Sequence, residues 1–449
     1  MDPTPSHGGP ASTVCPAAGG VRSTRRVRLA YLVSHPIQYQ SPLLRRIAQD
    51  SEIDLTVFFG SDFSVKGYVD KDFGVEVKWD IPLLEGFKHE FLPALRDGGS
   101  EGVFSPISYG ILRRLRGFDI LWVHGYATVN QMQGILAANI LDIPVVVRSD
   151  SQLSDRPRSG LKLAVKRLFF SLLRHLVDGV LVSGTLNADY WRHYLGDDFP
   201  LFLLPYAVDN GWFQERCKLA VPSLPQLESD LGLLTGRSVI LFASKLQTRK
   251  LCSDLVSAYA DLIAETPEST QPYLVIVGDG EERANLEKQV AAMGLTGVRF
   301  AGFRNQSEMP RFLALATVFV LPARHEPWGL IVNEAMNAAI PVIVTDDVGA
   351  QLDLVTDGVE GCVYPVGDIP ALTAALRRVL ASPEIASAMG RRALDRINQW
   401  SFDADIEGLR AAIAHVTRRI ANAPGVPSET APTCEAGGKT SVVRPGTLR

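Results

Sequence analysis

The 449-residue chain sets 45 Lys and Arg against 49 Asp and Glu, a formal net charge of −4, which excludes bulk attraction to nucleic acid. Its length exceeds what one hydrophobic core serves, so two domains plus tails are expected. Five scattered cysteines (Cys15, Cys217, Cys252, Cys362, Cys434) have neither disulfide nor metal spacing, no apolar run reaches the ~18 residues of a membrane span, and the start lacks a secretory apolar stretch, so a cytoplasmic protein with reduced thiols is expected.

Residues 1–26 are Pro, Ser, Gly and Thr rich, an expected disordered tail that closes on Arg22, Arg25 and Arg26. Val27 to Ser34 reads as the first buried strand and empties into Ser34-His35-Pro36-Ile37-Gln38-Tyr39-Gln40. A dinucleotide-binding fold would carry a glycine-rich turn there; a histidine and a proline argue against a hydride-transfer cofactor. His35, Gln38 and Tyr39 at this strand end would face the crevice where open parallel sheets bind ligands, as acceptor-side groups or as plain loop hydrogen-bonding groups. Strand signals recur at Leu55 to Phe59, Ile120 to His124, Pro144 to Arg148 and Gly179 to Ser183, with helical stretches between most of them. That alternation predicts a doubly wound α/β domain over 27–208.

Within it, segment 60–105 is glycine-interrupted and reads as an insertion of loops and short strands suited to choosing an acceptor. Arg148 and Asp150 end another strand, placed to meet acceptor or phosphate, or to form a structural ion pair. Residues 158–177 carry Lys162, Lys166, Arg167 and Arg174 among apolar groups on a helical pattern. Such a helix can lie on anionic lipid at the inner membrane face, or pack its apolar side on the sheet and solvate its charges.

Leu204 to Asp209 reads as the exit from this domain, and 209–237, with Pro222 and Pro225, as a linker. The second domain, 238–385, opens on a buried strand at Ser238 to Ala243 followed by Lys245 and Lys250. Leu274 to Val277 leads into Gly278-Asp279-Gly280, whose glycines let backbone approach a ligand or simply make a tight turn. The most informative stretch is 315–350: a strand at Val318 to Leu321, a loop kept irregular by Pro322 and Pro327, and helical spacing from Gly329. A helix start presents free N–H groups and a positive dipole end, which suits a phosphate. Glu326 stands just before that start and Glu334 about one and a half turns into the helix. Acceptors on both sides of an anion site fit a nucleotide sugar, with ribose at one end and hexose at the other. Asp346 and Asp347 are adjacent on a strand end and point to opposite faces, so metal independence is expected. Amphipathic helices over 386–420, broken near Trp400-Ser401-Phe402, precede a second expected disordered tail at 421–449.

Glu326-x7-Glu334, with Pro327, Trp328, Gly329, Leu330 and Ala335-Met336 around it and Pro341-Val-Ile-Val-Thr-Asp346 after it, resembles the signature of the family-four retaining glycosyltransferases. The resemblance covers about 27–420, most specifically 238–350, and Ser34 to Tyr39 is similar to a subgroup of that family. It implies an α/β, GT-B fold: two Rossmann-like doubly wound parallel-sheet domains facing a cleft, with a C-terminal crossover helix returning over 386–420. It implies transfer of a hexose-type sugar from a nucleotide-diphosphate sugar to an acceptor hydroxyl with no cofactor. By the same resemblance Lys245 and Lys250 stand for the family's two basic residues, with lysine where arginine is usual and Leu251 where glycine is usual, and Arg249 competes for either role. Lysine keeps the charge but loses the bidentate fork. Glu326 would hold sugar hydroxyls and Glu334 ribose hydroxyls. Gly329 and Leu330 would face the phosphates, with Trp328, Gly278 and Asp279 on the donor side. Main chain around Phe303 and Arg304 would hold the base, and His124 would touch the donor sugar. A non-catalytic GT-B subunit and another GT-B enzyme such as a nucleotide-sugar epimerase are the alternatives.

Overall fold

The computed structural model describes residues 25–66, 68–70, 75–77, 79–96, 102–153 and 160–421, so the two expected tails fall almost wholly outside the described residues. Short runs of β-branched and aliphatic residues form strands covered on both faces, the pattern that parallel sheets impose. In the first domain β1 (Val27–Val33), β2 (Ile53–Phe59), β3 (Lys88–Phe91), β4 (Ile120–His124), β5 (Val145–Arg148), β6 (Gly179–Val182) and β7 (Leu201–Leu203) form one parallel sheet, in the order β7-β6-β5-β4-β1-β2-β3. Alternate residues of β1 feed two separate cores: Ala30 and Leu32 on one face, Leu29, Tyr31 and Val33 on the other. The 60–105 insertion supplies β3, a helical turn and strands of two small antiparallel ribbons.

The second sheet holds β8 (Val239–Ala243), β9 (Tyr273–Val277), β10 (Val298–Gly302), β11 (Val318–Leu321), β12 (Val342–Thr345) and β13 (Gly361–Tyr364), all parallel, in the order β10-β9-β8-β11-β12-β13. Each sheet starts in its interior and then reverses its direction of growth, between β1 and β4 and between β8 and β11. Crevices at the carboxyl ends of such strand pairs are where open α/β sheets take ligands. The segments leaving β8 (Ser244 to Lys250) and β11 (Pro322 to Gly329) therefore share one crevice.

Two expected boundaries change. Residues 209–237 are not a linker: the helices Asn210–Ala220 and Leu224–Asp230 bury Phe213, Cys217 and Leu227 in the same core as β8. Pro222 and Pro225 sit in the first turns of short helices, where the missing N–H is no loss, so they mark starts rather than a hinge. Nor do both terminal helices return to the first domain. Pro383–Asn398 keeps Ala386, Met389, Ala393 and Ile397 in the second domain's cores. Only Phe402–Ala421 crosses back, burying Ile406, Leu409, Ile413 and Val416 against the first sheet. Gly408 permits that contact, because a Cβ there would stand 1.7 Å from the Leu203 carbonyl oxygen.

The crossing helix also carries Asp405, fully buried, with both carboxylate oxygens lacking a hydrogen-bond partner among the described residues. Burial holds its carboxyl well above the usual range, and the charge of Arg148 opposes this only in part. A raised folded pKa means that its stabilisation is complete below the unfolded value of about 3.9 and is lost as pH rises. The stability of Asp405→Asn relative to the wild type is therefore expected to rise as pH goes from 5 to 8, by at most about 1.4 kcal/mol per pH unit. A pH-independent gap in paired thermal melts would refute this.

Candidate active site

The donor side is built by the reversal between β8 and β11. Arg249 and Lys250 form a 3-10 turn after β8, ended by Leu251 in the left-handed region (φ 47°), so the position where glycine is usual still takes a glycine-like backbone. Lys250 is 7 % exposed and donates through Nζ to Glu326 Oε2. Arg249 donates to the same oxygen at 2.9 Å from a more exposed position. Burial alone would raise the Glu326 carboxyl, but the two cations hold it below its ordinary value. Burial lowers Lys250, as do the charges of Arg249 and Lys245, while Glu326 opposes the shift. Lys245 is thus close enough for its charge to be felt at the pair.

The loop that carries Glu326 is fixed by main-chain and carboxylate contacts. His325 adopts φ 51°, and its N–H donates to Asp347 Oδ2 at 2.8 Å. Asp346 accepts from the Val366 N–H at 2.9 Å, so both adjacent acids fasten backbone. Gly329 then opens the helix Leu330–Asn337 at φ 88° with no side-chain cap on its first turn. A Cβ there would stand 2.9 Å from Leu321 Cδ2, so glycine is needed for both backbone and space. Gly278 is constrained in the same way: its Cβ would meet the Ser244 carbonyl oxygen at 1.9 Å, which seats Gly278-Asp279 directly against the Lys245 segment. The Leu246 N–H donates to the Asp279 carbonyl at 2.9 Å and locks this approach.

Glu334 faces a different space, an interdomain cavity of about 640 Å³ that it shares with Leu330, Gln38, Tyr39, Gln306 and Trp212. Burial pushes its carboxyl up to about 8. Lys245, Lys250 and Glu326 do not line that cavity, so the two glutamates of the signature stand on separate walls.

On the acceptor side, the ends of β1, β4 and β5 meet. Burial, with the charge of His124 added, takes His35 to about 4; His124 is also taken to about 4, by burial, so both imidazoles are neutral at neutral pH. His35 Nδ1 lies 2.9 Å from Ser34 Oγ, and the Gln40 amide nitrogen lies 3.1 Å from the His124 ring. Tyr39 and Tyr206 bring their hydroxyls to 3.2 Å, and the Arg148 guanidinium lies over the Tyr206 ring at 4.8 Å. Arg148 is buried and donates to the Pro205 carbonyl at 3.3 Å, while Asp150 keeps one buried oxygen without a hydrogen-bond partner among the described residues. Gln38 donates to Gln306 of the second domain at 2.5 Å.

Residues 225–396 match the family model described as glycosyl transferases group 1. The second domain is thus similar to the glycosyl transferases of group 1. The alpha-D-kanosaminyltransferase of Streptomyces kanamyceticus is 32% identical over 161 residues, 36% of this chain and 41% of that protein. The lipopolysaccharide core biosynthesis glycosyltransferase LpsE of Rhizobium meliloti (strain 1021) is 31% identical over 204 residues, 41% of this chain and 59% of that protein. The matches thus span less than two thirds of these relatives' length. In structure the chain is similar to Anabaena Alr3699/HepE in complex with UDP, with a TM-score of 0.66 and 18% identity over 87% of this chain and 100% of that one. The architecture is GT-B, as expected.

Within the second domain, one side chain differs from expectation. The Trp328 indole is 5 % exposed, donates to Asn333 Oδ1 at 2.9 Å and stacks on Trp400 at 5.6 Å, so it packs the interdomain junction rather than facing a donor. Arg304 is held by the Ala301 carbonyl at 3.1 Å and by Glu308 at 3.2 Å, which leaves main chain around Phe303 and Arg304 as the part that can meet a base. Contacts across the cleft went unforeseen. Gln152 donates to the Pro327 carbonyl, Thr185 Oγ1 donates to Asp353 at 2.7 Å, and the Ser307 N–H donates to Asp80 at 3.3 Å. Only Gln152 had a sequence signal, a polar residue shortly after a strand end that enters the crevice.

Proposed function

We propose that this chain is a retaining, metal-independent glycosyltransferase that moves a hexose-type sugar from a nucleotide-diphosphate sugar to an acceptor hydroxyl. The observation that carries the reading is the convergence of buried Lys250 and of Arg249 on Glu326 beside the uncapped start of the helix Leu330–Asn337. A diphosphate arriving there meets Lys250, Lys245 and the main-chain amides at Gly329 and Leu330, which stabilise the charge that grows as the C1–O bond to phosphate breaks. The electron pair leaves with the diphosphate, the acceptor oxygen bonds to C1 on the same face, and a phosphate oxygen takes the acceptor proton. Glu326, released from its cations by the phosphates, holds the sugar hydroxyls. His35 on the acceptor side and His124 toward the donor sugar, both neutral at neutral pH, act as hydrogen-bonding groups rather than charges. The cross-cleft contacts exclude water, which favours transfer over hydrolysis. The UDP held by Alr3699/HepE in its crystal supports a nucleoside diphosphate as the donor moiety. Incubation with UDP-, GDP- and ADP-hexoses in EDTA is expected to give nucleoside diphosphate release that Glu326→Gln abolishes. Release by neither protein with any donor would favour a non-catalytic subunit.

Glu334 provides a separate expectation. With its carboxyl near 8, ribose hydroxyls that donate to it favour the ionised form, so nucleotide binding at pH 7 expels a proton. Calorimetry in buffers of different ionisation enthalpy should register up to one proton released, and none for Glu334→Gln. Proton uptake, or equal release by both proteins, would refute the ribose contact.

A further inference from the structure

We infer that an apolar groove between the helices Val129–Ile140 and Gly160–Leu173 holds the hydrocarbon chain of an anionic amphiphilic acceptor. The inference rests on the transferase reading only for the word acceptor. Of the expected alternatives for 158–177, packing on the sheet is realised by few side chains: the helix Gly160–Leu173 buries Phe170 and Leu173, while Leu161, Val165, Leu168 and Leu172 remain 60–77% exposed along one stripe. Beside it lies a cavity of about 700 Å³ whose walls are mainly apolar, including Met132, Leu136, Val165 and Phe169. That volume is within the roughly 300–1,000 Å³ of small-molecule sites.

Three features select the occupant. Tyr126 and Ser151, whose hydroxyls are 3.0 Å apart, are among the residues that line the groove. Tyr126 comes two residues after His124 and Ser151 directly after Asp150, so the groove abuts the strand ends that carry the acceptor-side groups. Lys162 and Lys166 line the same space, and the Lys166 ammonium sits 4.4 Å from the Tyr194 ring centroid. Apolar walls with cations among them match a hydrocarbon chain bearing an anionic head. Adhesion to a bilayer would instead draw on the whole exposed stripe, so Leu168 and Leu172, which do not line the cavity, would matter as much as Val165.

The test is calorimetric titration of the full chain with decyl phosphate below its micelle concentration and with inorganic phosphate. Wild type is expected to bind decyl phosphate at least about tenfold more tightly than inorganic phosphate, with a negative heat-capacity change. The pair Leu136→Gln and Val165→Gln, both on exposed groove walls, should weaken decyl phosphate about tenfold. The pair Leu168→Gln and Leu172→Gln should leave it unchanged. Decyl phosphate binding no tighter than inorganic phosphate, or lost equally in the outer-stripe pair, overturns the proposal. UDP titrated in parallel should bind all three proteins alike; its failure on the wild type would count against the transferase reading and leave the groove result standing.

Discussion

Glu326→Ala is expected to reduce transfer by a factor of about 10²–10³ and to cost on the order of 3–5 kcal/mol of folding stability. The two losses have one cause. Glu326 is the carboxylate that neutralises Lys250, and both side chains are nearly inaccessible, at 11% and 9%. Removing the acid leaves an ammonium buried among Arg249 and Lys245 charges, whereas Arg249 itself, 43% exposed, can turn to water. The pH dependence has a definite sign. The cations hold Glu326 below its ordinary pKa, so its stabilisation is present above the unfolded value and is lost as pH falls through the folded one. Urea melts at pH 7 and pH 3.5 should show the wild-type advantage over Glu326→Ala shrinking in acid. Equal stability of the two proteins at pH 7 would remove the buried pair from the account.

Lys250→Ala is expected to weaken nucleoside diphosphate binding by about 10²-fold while costing less stability than Glu326→Ala. Here the buried group left behind is a carboxylate that still accepts from Arg249 at 2.9 Å, so it is not stranded. The affinity loss is larger because the ammonium, already desolvated and crowded by other cations, is positioned for an anion before one arrives. Titration with UDP against wild type and variant, paired with their urea midpoints, reads both halves. An unchanged affinity would mean that Lys250 serves the fold alone.

These residues were legible in sequence because chemistry at a strand end survives without knowing the rest of the fold. Lys250 and Glu326 lie 76 positions apart, yet each follows an unmistakable buried strand, and the reversal of strand order brings those ends together. Gly329 and Gly278 could be read as backbone positions, though what they approach could not. Trp328 shows the limit. An indole in that motif suits a ligand face or a core equally well, and the decision came from Trp400 and Asn333, contacts that no local pattern encodes. The same holds for Arg148 and Asp405, both buried and far apart in sequence yet close enough for their charges to act on each other. Residues 209–237 misled for a different reason. Proline pairs signal chain breaks and helix starts alike, and only the burial of Phe213 and Leu227 separates the two.

The central claim is that a pyrophosphate, rather than the base or sugar alone, is gripped at the crevice between the segments leaving β8 and β11. It is tested most directly by titrating UDP, ADP and GDP beside their nucleosides against wild type and the double variant Lys245→Ala, Lys250→Ala. The account predicts that the best diphosphate binds wild type about 10²-fold or more tightly than its nucleoside, and that the double variant erases most of that gap while binding the nucleoside as before. A diphosphate advantage that survives intact without both lysines would contradict it.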